Sequence, residues 1–244
     1  MTDYEIVSGS DIARLFNIHL NELFDLCLDN KNVIVYKNSV TIDGDLSLFP
    51  QEIPESAVGY IILGDLTVKG TIRDDHKGPG SFLYVNGDLK ADSITISRAD
   101  LNITANTYIK NFIYTYNELG SLYIKGDLST KLLVVNEHDT TIEGVTNAIV
   151  TGDINSIVNQ DGCIFMDIDE ILNKTVLSGI SDDRYIDNKK FMKAVKENKP
   201  FVKKEFERLF DEGVTVKDIF NDMDSPLILS IKKQVEKIIS KKKI

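Results

Sequence analysis

The sequence predicts a mainly β protein: a parallel β-solenoid held between an N-terminal capping helix and a C-terminal α-helical subdomain. Gly-Asp followed by Leu or Ile recurs at Gly44-Asp45-Leu46, Gly64-Asp65-Leu66, Gly87-Asp88-Leu89, Gly126-Asp127-Leu128 and Gly152-Asp153-Ile154. Short β-branched and aromatic runs fill the chain between these marks, and helical periodicity takes over on both sides. The expected divisions are residues 1–31 for the cap, 32–165 for the solenoid and 166–244 for the helical subdomain.

In the first segment Ile12, Leu15, Phe16, Leu20, Leu23, Phe24 and Cys27 fall on one stripe at three- and four-residue steps. That spacing predicts a helix over residues 10–29, with Ser8 and Asp11, or Ser10 alone, at its start. Its apolar stripe needs cover, so the helix is expected to close one end of the stack.

From residue 32 the pattern becomes strand-like: Val33 to Tyr36, Val40 to Ile42, Tyr60 to Leu63, Leu66 to Val68, Ser81 to Val85, Ile94 to Ile96, Leu122 to Ile124 and Ala148 to Val150. Gly, Asn and Asp punctuate these runs. Two arrangements accommodate them. Asp43-Gly44 and Asn86-Gly87 suit tight hairpin turns. Alternatively each Gly-Asp marks the same corner of successive coils, with Gly supplying a positive φ or room for crowded backbone and the next Leu or Ile pointing inward. The recurring downstream Leu or Ile favours coils. The long gap between Gly87 and Gly126 then holds a degenerate copy, Ala105-Asn106-Thr107, after the alternating Leu101 and Ile103.

The stretch Gly64-Asp65-Leu66-Thr67-Val68-Lys69-Gly70-Thr71-Ile72, and Asp43 to Ile154 as a whole, resembles the coils of bactofilin-like, polymer-forming β-solenoids. That resemblance implies a right-handed parallel β-helix with a stacked aliphatic interior and no catalytic centre in its coils. The helical flanks and irregular inserts depart from the bactofilin pattern and count against end-to-end filaments. Six or so coils, at about 4.8 Å each, would make a rod on the order of 30 Å long. Its open strand edges need covering.

Beyond residue 166 four helices are expected. One begins at Asp187 and stops before Pro200, and one begins at Pro200 and ends at Gly213. A short one is capped by Thr215 with Asp218, and the last is opened by Ser225-Pro226. In the last, Leu227, Ile228, Ile231, Val235, Ile238 and Ile239 make one apolar stripe. The lysines Lys232, Lys233, Lys237, Lys241, Lys242 and Lys243 suit its C-terminal end.

Charge narrows the choice of partner. Net charge is −10, but residues 186–244 hold 15 basic against 10 acidic side chains, whereas residues 1–185 hold 13 against 28. Phosphate contacts need Lys and Arg on the binding surface, so nucleic acid is not the expected partner. A basic protein is. Neither a signal-like start nor an apolar stretch of membrane-spanning length is present, and a cytoplasmic protein without membrane association is expected. Cys27 and Cys163 read as reduced, buried thiols.

Little in the chain suggests catalysis. His19, His76 and His138 match no metal-ligand spacing, and His76 and His138 fall in polar turns where solvated side chains are expected. No Gly-rich loop has phosphate-binding spacing, so no cofactor is expected. Some β-helices cleave polysaccharides, which keeps a carbohydrate-active enzyme as a distant alternative, but Trp is absent from the chain. The expected function is non-enzymatic protein binding, with an immunity protein against a bacterial toxin as its sharpest form and a bactofilin-like cytoskeletal scaffold as the alternative.

Two groups of residues are expected at the partner surface. In-register coils would stack Asp45, Asp65, Asp88, Asp127 and Asp153 along one edge, either steering a basic partner or bonding their own corner backbone. The inserts supply the rest: Phe49 and Glu52 in the first, Asp74, Asp75 and His76 in the second, and Tyr114, Tyr116 and Glu118 in the third.

Overall fold

The computed structural model describes residues 4–18, 31–49, 52–53, 57–74, 81–152, 163–179, 184–204 and 206–207. Two compact units divide the chain, residues 1–165 and 166–244. In chain order the strands of the first are β1 (Glu5–Ser8), β2 (Asn32–Tyr36), β3 (Val40–Ile42), β4 (Leu46–Ser47), β5 (Ala57–Ile62), β6 (Leu66–Arg73), β7 (Phe82–Val85), β8 (Leu89–Ile96), β9 (Asp100–Ile103), β10 (Thr107–Tyr116), β11 (Ser121–Ile124), β12 (Leu128–Asn136), β13 (Asp139–Ile142), β14 (Thr146–Gly152) and β15 (Ile164–Phe165). The helix α1 (Gly9–Phe16) follows β1.

These strands form a β-solenoid. One sheet runs β1-β2-β5-β7-β9-β11-β13 and the other β15-β14-β12-β10-β8-β6-β3, with β4 also beside β6. Every pairing among β2 to β15 is parallel. A chain segment therefore passes from the first sheet to the second and returns to lie beside its own start. Tight hairpins would have made neighbouring strands antiparallel, so the coil reading of the Gly-Asp marks holds. The longer strands of the second sheet each carry a register shift, as between Val68 and Thr71 or Ile109 and Phe112, which bends the strand there.

Period-two alternation along each strand sends one set of side chains inward, where coils stack like on like. Ile34, Tyr60, Leu83, Leu101 and Leu122 are successive register partners in the first sheet. Across the second run Leu46, Ile72, Ile94, Ile113, Leu133, Val150 and Phe165. Both columns belong to one buried cluster, in which each Leu or Ile contributes about 1.5–3 kcal/mol by leaving water.

The opposite faces of β2, β5 and β7 are also apolar. Val33, Val35, Ile61, Phe82 and Tyr84 form a second cluster with Val7, Ile12 and Ile18. So α1 covers the outside of the first sheet, whereas the sequence had placed it across the end. That end is taken by β1, which runs antiparallel to β2 and was not foreseen. The expected single helix through residue 29 breaks at Asn17, whose φ of 55° ends α1 after Phe16. Leu20, Leu23, Phe24 and Cys27 lie outside the described residues.

The second unit contains α2 (Ile168–Ile171), a 3-10 turn at Lys174–Val176, the antiparallel pair β16 (Leu177–Ser178) and β17 (Tyr185–Ile186), and α3 (Asn188–Lys196). Asp187 caps α3 as expected, its carboxylate accepting from the Lys190 amide. That amide, with Ser178 Oγ donating to the carboxylate at 2.8 Å and the Lys190 ammonium 3.5 Å away, holds the Asp187 pKa below the usual range. The helix expected from Pro200 does not start there. Val202 instead bridges to Leu172, and Phe201 and Lys203 exchange backbone bonds with Asn173 and Ile171. Residues 208–244, with the Lys-rich helix, lie outside the described residues.

Candidate functional site

The corner between the two sheets is built from a ladder of side-chain acceptors, each reaching one coil forward. Ser39 Oγ accepts from the Asp65 amide at 2.9 Å, Asp65 from Asp88 at 2.9 Å, and Asp88 from Asn106 at 3.0 Å. Asn106 then accepts from Asp127 at 3.0 Å, and Asp127 from Val145 at 2.8 Å. The carboxylates thus do not bond their own corners, as the conventional Asp turn had suggested. They satisfy an amide of the next coil, which the strand ladder leaves unpaired.

This ladder also redraws the repeat. Ala105-Asn106-Thr107 does fill the vacant corner, but Gly44-Asp45 and Gly152-Asp153 are not corners of the same kind. Val40 pairs with Leu66, so Ser39 holds the place given to Asp45. Asp45 instead accepts from Thr71 at 2.8 Å, and Leu46 lies beside Ile72 at the bend of β6. Gly152 lies at the end of β14 beside Val135, Gly144 takes the last corner, and Asp153 lies outside the described residues. The aligned carboxylates are therefore Asp65, Asp88 and Asp127, with neutral Asn106 between the last two.

The inserts divide by exposure. Glu52 is exposed and pairs with Arg73 at 3.1 Å, while Phe49 is half-buried and its carbonyl closes a turn with Glu52 and Ile53. Asp74 is buried and accepts from the Arg98 amide at 2.9 Å, so its role is to hold a corner. Asp75 and His76 lie outside the described residues. Tyr114 is also buried, stacked on half-buried Tyr116 with ring centroids 5.0 Å apart. Neither Asp74 nor Tyr114 presents its side chain to a partner. Glu118 is exposed beside Asn117, whose φ is 86°.

His138 is not the solvated turn residue expected. It is buried, Nδ1 lies 3.4 Å from Thr140 Oγ1, and Nε2 meets no partner among the described residues. Burial lowers its pKa to about 4.

A site the sequence did not single out lies on the outer face of the first sheet, beyond the cover of α1. There the outward positions turn polar: Tyr84, Asn102, Tyr123 and Thr141 are register partners on β7, β9, β11 and β13. With Thr104, Ser121, Leu122, Lys125 and Asp139 they line a trough of about 450 Å³. Asn102 forms its floor at only 6% exposure. The Tyr123 hydroxyl donates to Glu143 Oε1 at 2.6 Å, a bond that with burial raises its pKa to about 12. Burial alone raises that of Tyr84. Ser121 Oγ donates to Asp100 Oδ1 at 2.6 Å. Aligning strands rather than Gly-Asp marks would have found this column, since each member immediately precedes Val85, Ile103, Ile124 or Ile142.

Among the described residues no group of His, Cys, Asp and Glu is arranged to hold a metal ion, and no helix is long and apolar enough to cross a membrane. The chain matches no family model, no curated protein and no solved structure.

Proposed function

We propose that this protein is a non-enzymatic binding protein of the cytoplasm whose acidic solenoid holds a basic protein partner, in its sharpest form as an immunity protein covering a bacterial toxin. The observation that carries the reading is the corner ladder. Asp65, Asp88 and Asp127 each use Oδ1 on the next coil, so their charges are held on one line by a rigid scaffold. Asp65 and Asp127 are exposed, and a fixed row of like charge steers and orients a partner of opposite sign.

Native Asn106 shows how to test this without disturbing the fold, because an amide oxygen makes the same rung as a carboxylate. Co-purification from the native host is expected to recover one stoichiometric basic partner. The triple variant Asp65→Asn, Asp88→Asn, Asp127→Asn is expected to weaken that complex at least about tenfold at low salt and less at high salt. Absence of such a partner removes the proposal. The bactofilin-like scaffold is the second reading, favoured by the in-register parallel coils themselves; β1 across one end weighs against it.

A further inference from the structure

We propose that the trough over Asn102 anchors the guanidinium group of an arginine on the basic partner; this deepens the function proposed above and rests on it. The first observation is the floor. Asn102 is more than nine-tenths buried, lines the trough, and has no side-chain hydrogen bond among the described residues. Its amide oxygen and nitrogen are not sealed off with the fully buried unpartnered groups of the chain, so they open into the trough and are available to a ligand that enters it.

The second observation is the pair of walls. Tyr84 and Tyr123 flank Asn102 on the two neighbouring strands, so their backbones stand about 10 Å apart. Contact at about 3.5–4 Å on each face leaves room between them for one flat group. The third is charge. Asp139 lines the trough and forms no ion pair among the described residues, and the carboxylates of Glu143 and Asp100 hold the Tyr123 and Ser121 hydroxyls at its rim. Lys125 is the single base in the lining among the described residues. By contrast, Asp11, Asp45, Glu52 and Asp169 each already face an arginine of this chain.

A guanidinium group answers all three. It is flat, stacks on aromatic rings, carries five donors for the Asn102 carbonyl and the Asp139 carboxylate, and sheds water more readily than an ammonium. A neutral sugar would use the tyrosines and Asn102 and could donate hydroxyls to Asp139, but it brings no positive charge to balance that carboxylate.

The test titrates the full chain with N-acetyl-arginine amide, N-acetyl-lysine amide and glucose, following the Asn102 side-chain amide resonances. Arginine amide is expected to shift them and to bind at least about fivefold more tightly than lysine amide. The backbone amides of the flanking Tyr84 and Tyr123 are expected to shift with arginine amide in wild type and to stay unshifted in Asn102→Leu, which fills the floor, and Asp139→Asn, an exposed change, is expected to weaken binding about fivefold. Unshifted resonances, equal response to lysine amide, or a response to glucose alone overturns the site. If the partner complex survives Asn102→Leu but not the corner triple variant, the arginine anchor fails and the proposed function stands. If no basic partner exists yet arginine amide binds, the site stands and the partner reading fails.

Discussion

His138 is held neutral deep in the turn between β12 and β13, with one ring nitrogen unpartnered among the described residues. Its pKa near 4 lies below the 6.5 of an unfolded chain, so between those values the unfolded chain binds a proton that the folded one refuses. The stability owed to the neutral ring is complete above pH 6.5, falls as pH drops toward 4, and is constant below that. Its full size is about 3 kcal/mol. Denaturation of wild type and His138→Gln at pH 7 and pH 4 measures this directly, because the shared carboxylates cancel in the difference. The wild-type advantage is expected to shrink by about 3 kcal/mol at the lower pH; an unchanged difference would show the ring to be solvated.

At the scale of one coil, the corner acceptor is the element that joins neighbours. Removing it strands a backbone amide, so Asp88→Ala is expected to cost about 1–2 kcal/mol, whereas Asp88→Asn stays within about 0.5 kcal/mol of wild type. Urea melts of the two variants decide; equal losses would mean that charge and not hydrogen bonding holds the corner. The corner also explains what was legible in the sequence. Gly64, Gly87, Gly126 and Gly144 leave no room for a side chain, since a Cβ on any of them would collide with the preceding coil. Glycine there marks close stacking, and so the strands between marks and the coil architecture could be read directly. Gly44 is glycine for another reason, a φ of 95° in open space, while Gly152 combines a φ of 104° with the same crowding, since a Cβ there would collide with the Val135 carbonyl. The same dipeptide thus reports two different constraints, and only register separates them. The trough was hidden for a related reason: Tyr84, Asn102, Tyr123 and Thr141 share a place in space but no motif, and alternation alone does not reveal which outward positions α1 leaves uncovered.

For the solenoid as a whole, the decisive question is whether its ends can add further copies. At the first end β1 lies antiparallel on β2, presenting an edge of the wrong direction for another parallel coil. In the last coil Ile142, Ala148 and Val150 are already fully buried, and Cys163 and Phe165 pack against the same core. Purified protein is therefore expected to sediment as one small discrete species over a wide concentration range and to show no fibres by electron microscopy. Fibres that lengthen with concentration would overturn the proposed function in favour of the scaffold.

One property of the corner reaches beyond any single residue. Every acceptor serves a donor supplied by its successor, and the intervening segments already vary from 18 to 26 residues between bonded positions. Splicing in a duplicate turn, or excising one, would leave each surviving junction complete while both termini stay as they are. Length is then an adjustable dimension of this molecule, open to change by duplication or deletion without redesign of what closes it.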